Sequence, residues 1–416
     1  KIRRFSHIRE RIMSLVKYAG VSLIAMSASI GHAGGMEATA LSAGFMFEDG
    51  SYGSASVQSQ SPSVQGTIKW TGAGSLSPAA AGGVVGESAT SGSLVGSVTS
   101  TNLKAKMDVL DNMSVGIAYY RQAGIKLDYQ TNWASAATKG ALPKVDLDVT
   151  ALAALVKYDF NDNISTLAGI KYGTASNATV SIPIGVGVNA TATGESALSY
   201  IAGAAYEIPE IALRAELMYE TSAAYSLTTA FAAVTGIAAL GVPTHGVQTG
   251  TIDASTPDYI NLYVQSGIAE DTLAYVSARQ ANWKTNQVSY TNPESKTNAA
   301  AAAGTVRTLS DFADTTSYEI GVGRKFGDTW SSSIAYNWEG GSGPDSTSLF
   351  TLTDGRQGLS VGVKYSLTEN TAISFGGNYT QFGNVTHGNS ALVPLGGTEF
   401  SGNTATTLGL NFSTSF

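Results

Sequence analysis

The sequence predicts an all-β fold, a transmembrane antiparallel β-barrel of about 14 strands with a short N-terminal segment ahead of it. Three observations carry that expectation. Apolar and polar residues alternate with period 2 along most of the chain, as on a strand whose two faces meet different surroundings. Tight polar turns alternate with long connections, and the final residue, Phe416, is an aromatic on the apolar parity of its strand.

The clearest stretch is Thr316 to Trp338, TSYEIGVGRKFGDTWSSSIAYNW. Tyr318, Ile320, Val322 and Phe326 share one parity, with Glu319, Gly321, Gly323 and Lys325 on the other. Gly327 and Asp328 reverse the chain, after which Trp330, Ile334, Tyr336 and Trp338 continue the apolar face. Aromatics at both ends bracket an aliphatic middle, which is the pattern of two interfacial girdles around a membrane barrel.

Composition agrees. Only 13% of the 416 residues are charged, Gly reaches 47 and Tyr 19, and no apolar run outside the N-terminus approaches the length of a membrane helix. With no Cys there is neither a disulfide nor a thiolate site. Residues 1–33 carry six of the 24 basic groups and one of the 31 acids, so 18 basic face 30 acidic groups beyond them, a net −12. No nucleic-acid partner is expected.

In chain order, VKYAGVSLIAMSASI (16–30) follows a basic flank and ends in Gly31-His32-Ala33. That reads as a secretory signal peptide over 1–33, with residues 1–12 an over-extended start before Met13. A short segment, 34–50, precedes the barrel, 51–416.

The N-terminal motif Phe47-Glu48-Asp49-Gly50-Ser51-Tyr52, followed by Pro62-Ser63-Val64-Gln65-Gly66, resembles the start of the FadL-type outer-membrane transporters of hydrophobic compounds, in a short form. Seventeen residues, 34–50, lie between the expected cleavage point and Ser51, and no Asn-Pro-Ala element is present. The resemblance implies an N-terminal hatch inside the lumen, here Phe45, Phe47 and Glu48. It also implies a ligand groove on the third and fourth extracellular loops, and a lateral exit at a bent third strand, where Gly116 and Gly124 are candidates for the bend.

Strands are expected near 51–60, 93–108, 113–127, 146–160, 163–175, 197–208, 211–227, 257–268, 272–286, 316–326, 329–339, 357–367, 371–383 and 404–416. Tight turns are expected at 108–112, 159–163, 207–210, 269–272, 326–329 and 367–371, with connections of about 15 to 30 residues on the opposite side. In the last strand Thr406, Leu408, Leu410, Phe412 and Phe416 share a parity. An aromatic end of this kind resembles the signal read by the bacterial barrel-assembly machinery. Because an open strand edge in hydrocarbon is strongly unfavourable, 404–416 should pair with the first strand.

Catalysis finds no support. Only His245 and His387 remain beyond the signal peptide, both in expected loops and read as solvated. No metal cluster, cofactor loop or catalytic residue is assigned, since the Gly-x-Gly pairs at 185–187 and 321–323 precede no helix.

Candidate ligand-path residues come from loops and lumen. Phe231, Val234, Ile237, Leu240 and Val242 have the spacing of a short amphipathic helix, and Ile182, Ile184, Val186 and Val188 form an apolar strip. These loops either fold inward as a cap or form an external groove. Parity turns Lys157, Lys171, Arg214 and Lys364 into the lumen, as cations for a ligand carboxylate or as partners of neighbouring acids. Arg324 falls on the lipid parity beside the turn. The expected function is passive transport of long-chain fatty acids or other hydrophobic small molecules across a bacterial outer membrane. The alternatives are a water-filled porin and a structural or adhesive surface barrel. Outer-membrane lipid, a hydrophobic ligand and the assembly machinery are the expected partners.

Overall fold

The computed structural model describes residues 36–69, 88–129, 144–176, 178–182, 188–231, 248–291, 306–343, 345–346, 348, 350–387 and 398–416. The expected signal peptide lies outside these residues.

Fourteen antiparallel strands form the wall. They are β1 (Tyr52–Ser63), β2 (Val98–Leu110), β3 (Met113–Asp128), β4 (Lys144–Asp159), β5 (Ile164–Ala175), β6 (Ser196–Ile208) and β7 (Leu213–Glu220, continued by Ala223–Phe231). The second half comprises β8 (Gln248–Thr256, continued by Tyr259–Ala269), β9 (Thr272–Ala281), β10 (Thr315–Phe326), β11 (Trp330–Glu339), β12 (Arg356–Ser366), β13 (Thr371–Phe382) and β14 (Thr404–Ser415). Each pairs with its neighbours, and β1 closes on β14 from Tyr52↔Ser415 to Ser63↔Thr404. Closure continues past the last ladder pair, because Phe416 and Ser51 exchange backbone hydrogen bonds of 2.9 and 3.1 Å. No edge is left open there, which is the only arrangement of strands that hydrocarbon tolerates.

The outer face is the apolar one. In β10 and β11 the pairs Phe326↔Trp330, Val322↔Ile334, Ile320↔Tyr336 and Tyr318↔Trp338 stand on the outside with their large members exposed. Tyr318 stacks on Trp338 at 5.7 Å at one end of this hairpin, and Trp330 meets Tyr365 at 4.6 Å at the other. Phe416 is 79% exposed. Arg324 is also outward, its guanidinium 6.0 Å from the Phe326 ring, as the parity predicts. The short turns lie on one side: Asp271 and Gly327 supply the left-handed residues (φ 56° and 65°) at two of them.

On the opposite side the wall grows taller than the sequence pattern suggested. The third connection forms a hairpin, Ala178–Ile182 with Val188–Ala192, that pairs with Lys144–Asp146 of β4 and with Thr229–Phe231 of β7. Ser289–Thr291 likewise pairs with Thr251–Asp253 and with Val306–Thr308. The expectation for Phe231 itself is corrected: it ends a strand, held in two ladders. Ile182 also lies in a strand, whereas Ile184, Val234, Ile237 and Leu240 fall outside the described residues.

A second, small sheet of residues 66–69, 88–90, 345–346, 385–387 and 398–400 covers the other half of this end. It holds the second correction. His387 is fully buried, its Nε2 2.8 Å from the Thr351 carbonyl and its ring 4.9 Å from Phe400. Burial depresses its pKa to about 4, so the ring is neutral at pH 7 and cannot be a solvated loop histidine. His245 falls outside the described residues.

Candidate ligand path

The two larger apolar clusters among the described residues lie inside the wall. The upper one is built from the tall half and the covering loops, among them Tyr225, Leu227, Ile252, Trp283, Phe312, Phe350, Leu352 and Phe400. The lower one gathers Leu41, Ala43, Phe45 and Met46 of the N-terminal segment against Ala118, Tyr120, Leu155, Leu167, Ile201 and Met218 of β3 to β7. The segment makes a 3₁₀ turn, Ala43–Phe47, whose N-cap Ser42 accepts from the Gly44 N–H at 3.4 Å.

Between the clusters lies a band of ion pairs. Lys171 Nζ donates to Glu220 Oε2 at 2.8 Å, and both side chains are 1% exposed. Arg279 reaches Glu220 Oε1 at 3.3 Å, bonds Asn261, and is salt-bridged to Glu37 of the N-terminal segment. Its guanidinium lies 3.8 Å above the Tyr259 ring. Two cations thus face two carboxylates.

Lower down, several further inward cations gather around the N-terminal segment. Lys106 Nζ donates to the Glu48 and Gly50 carbonyls, both at 2.8 Å, and meets Asp108 at 2.5 Å. Phe47 sits between two cations, Arg214 at 4.5 Å and Lys157 at 5.0 Å from its ring centre. Lys157 is also bonded to Asp159 at 2.8 Å, and Arg214 lies 3.9 Å from Glu216. Burial raises the Glu48 carboxyl above the ordinary glutamate range, an effect that Lys364 and Arg214 offset in part. Lys157, Lys171, Arg214 and Lys364 all face inward, but Lys171 belongs to the middle band and the others gather around Phe47 and Glu48.

The wall is not uniform. β2 and β3 pair only from Leu103↔Tyr119 down to the turn. Above that point β3 carries a bulge at Gln122, where its register with β4 shifts, and residues Tyr120 to Ile125 are buried on both parities. A wall strand would expose every second one of these to the outside. Buried in succession, they show that β3 bends inward away from β2 while keeping its ladder with β4. Val98–Asn102 of β2 keeps only β1 as a partner. The two sides meet again higher up, where the Asp128 N–H donates to the Leu94 carbonyl at 2.8 Å and the Gly96 N–H to the Lys126 carbonyl at 3.1 Å. The result is a window in the ladder between β2 and β3.

The N-terminal segment takes the bonds that β2 gives up. The Ala38 N–H donates to the Gln122 carbonyl and the Gly124 N–H to the Met36 carbonyl, both at 2.8 Å. Gln58 of β1 donates to Thr39 Oγ1 at 3.3 Å, so the segment spans the window. The bend expected at Gly116 or Gly124 is thus found at Gln122. The two glycines do other work. A Cβ on Gly116 would lie 2.8 Å from Phe45 Cε2 and closer still to Met46, while one on Gly124 would lie 2.6 Å from Asp148 Oδ1. One admits the N-terminal segment and the other admits the bulge.

Comparison with solved structures places this geometry. A FadL homologue from Pseudomonas aeruginosa superposes with a TM-score of 0.67 at 13% identity, over 90% of this chain and 92% of that one. The fold is that of the FadL-type barrels. The FadL-type fold is shared by the toluene transporter TodX of Pseudomonas putida (TM-score 0.60, 10% identity, 94% of this chain and 98% of that one). The toluene transporter TbuX of Ralstonia pickettii also matches (TM-score 0.57, 10% identity, 95% and 100%). No family profile and no curated protein matches the sequence. The window itself had no sequence signal beyond a run of mixed parity, YYRQAGI (119–125), within a strand that otherwise alternates.

Proposed function

We propose that the chain is a passive transporter of hydrophobic small molecules across a bacterial outer membrane, multi-pass by its strands. The observation that carries this reading is the window between β2 and β3 together with its occupant, Met36–Thr39. An opening whose β3 edge is satisfied by a detachable segment is a gate, since the Gln122 carbonyl and the Gly124 N–H cannot face hydrocarbon unpaired without losing several kcal/mol each. An apolar molecule enters the upper cluster and passes the ionic band when the N-terminal segment shifts. It then leaves sideways through the window or downward past Phe47. No step needs energy coupling.

Two of the solved structures with this fold are described as toluene transporters, which favours small apolar cargo. Long-chain fatty acids stay within the proposed class. The pairing of Lys157 with Asp159 and of Lys171 with Glu220, however, leaves their charges already matched. Outer-membrane lipid would surround the aromatic belts, with Phe416 exposed to it at the closing seam.

The test is to measure uptake of labelled toluene and of a labelled long-chain fatty acid by bacteria whose own hydrophobic transporters are deleted. Conductance of the purified protein in planar bilayers is measured in parallel. Faster uptake of either compound with almost no steady conductance is expected. Steady ohmic conductance without added uptake would replace the proposal by a water-filled porin.

A further inference from the structure

Four side chains at the level where β3 bends inward hold buried hydrogen-bonding atoms with no partner among the described residues. These are the hydroxyls of Tyr120, Tyr225 and Tyr259 and both amide atoms of Gln122. None of the four residues is more than 3% exposed. They form one neighbourhood. A Cβ on Gly173 of β5 would overlap the Tyr225 hydroxyl and lie 3.7 Å from Gln122 Oε1. Tyr120 is within electrostatic reach of Tyr225, Glu220, Arg279 and Glu37, and Tyr259 of Tyr120 and the same three charges. Buried donors and acceptors are almost always satisfied, so a concentration of orphans beside a proposed conduit asks for a guest.

The chemistry of the guest follows from what surrounds it. A hydrocarbon would leave every one of these atoms unsatisfied. A carboxylate would meet Lys171 and Arg279 already matched by Glu220 and Glu37, and would add a third negative charge to that group. An uncharged oxygen-bearing group offers what the site lacks. Three hydroxyls and an amide can donate to it and accept from it without disturbing the ion pairs. We infer that Tyr120, Gln122, Tyr225 and Tyr259 form a subsite for the neutral hydroxyl or carbonyl end of an otherwise apolar molecule. This rests on the transport reading and narrows its substrate class to uncharged oxygenated hydrophobics.

Three probes of equal chain length separate the possibilities: 1-decanol, decane and decanoate, each radiolabelled and brought to equilibrium at pH 8 with the full chain purified in detergent. Decanol should bind about tenfold more tightly than either of the others, the worth of one or two net hydrogen bonds. Tyr225→Phe with Gln122→Met should bring decanol down to the level of decane and leave decane unchanged. Tyr120→Phe with Tyr225→Phe repeats the test without touching the bulge, and heat-modifiable migration on gels reports that each barrel has folded. Equal binding of all three probes, decanoate binding best, or a decanol preference that survives both double variants would each overturn the subsite and leave hydrophobic transport standing. If none of the three binds, both readings fall.

Discussion

The hairpin β10–β11 and the seam β2–β3 are made of the same material and behave differently. Along the hairpin ten consecutive pairs, Ser317↔Glu339 to Phe326↔Trp330, keep one register, and every second side chain faces outward. Along the seam one extra residue, Gln122, ends the alternation, and the ladder with β2 stops at Leu103↔Tyr119. The difference teaches where the stability of each region resides. The hairpin is satisfied by its two neighbouring strands. The seam depends on four residues of the N-terminal segment, and these are tied to the far wall through Glu37 and Arg279. A regular wall carries its own bonds, whereas a wall completed by a separate segment is the part that the proposed gate would open.

The largest expected effect comes from cutting the tie. Arg279→Gln leaves Glu37 and Glu220 buried with less positive charge to face, a loss of about 3–5 kcal/mol for a buried charge set of this kind. Conductance in planar bilayers should rise as the segment undocks. Glu37→Gln added to Arg279→Gln should recover part of the docking, because the uncompensated charge is then smaller. On the hairpin the opposite separation is expected. Ile334→Lys, outward and in the aliphatic middle, should destabilise the barrel by about 2–4 kcal/mol in denaturant titrations. Uptake per folded barrel should not change.

A smaller effect marks the covering sheet. His387 has its pKa lowered to about 4 from an ordinary 6.5. The unfolded chain therefore binds the proton first, so the contribution of the neutral ring is fully present above pH 6.5 and is lost as pH falls toward 4. The loss amounts to at most about 3 kcal/mol and is local. Limited proteolysis of residues 340–355 and 383–403 should accelerate across that pH interval in the wild type, and His387→Phe should flatten the pH dependence.

Much of the barrel was legible in the sequence because a wall residue answers only to its parity. Phe326, Trp330 and Phe416 announce the lipid face, and Lys157, Lys171 and Arg214 announce the lumen, without reference to any distant residue. The gate was not legible for the opposite reason. Glu37 and Arg279 stand 242 positions apart and meet only because the segment ahead of β1 folds into the lumen. Gln122 looks in sequence like any polar residue in a strand, and nothing short of the register on both sides reveals that it is the extra one. His387 was misread because a loop between strands was equated with water, when here the loop brings a strand to a buried sheet. Phe231 was misread because its own spacing does not reveal the two ladder partners that claim its backbone.

The central claim is that Met36–Thr39 closes the window and must move for transport. The chain contains no Cys, so a single engineered pair can test it. Glu37 and Ala123 stand directly opposite each other as an antiparallel pair, and Glu37→Cys with Ala123→Cys should form a disulfide that pins the segment to β3. Uptake of labelled toluene should fall to the level of cells without the protein under oxidising conditions and return on reduction. Undiminished uptake with the disulfide demonstrably formed would contradict the account.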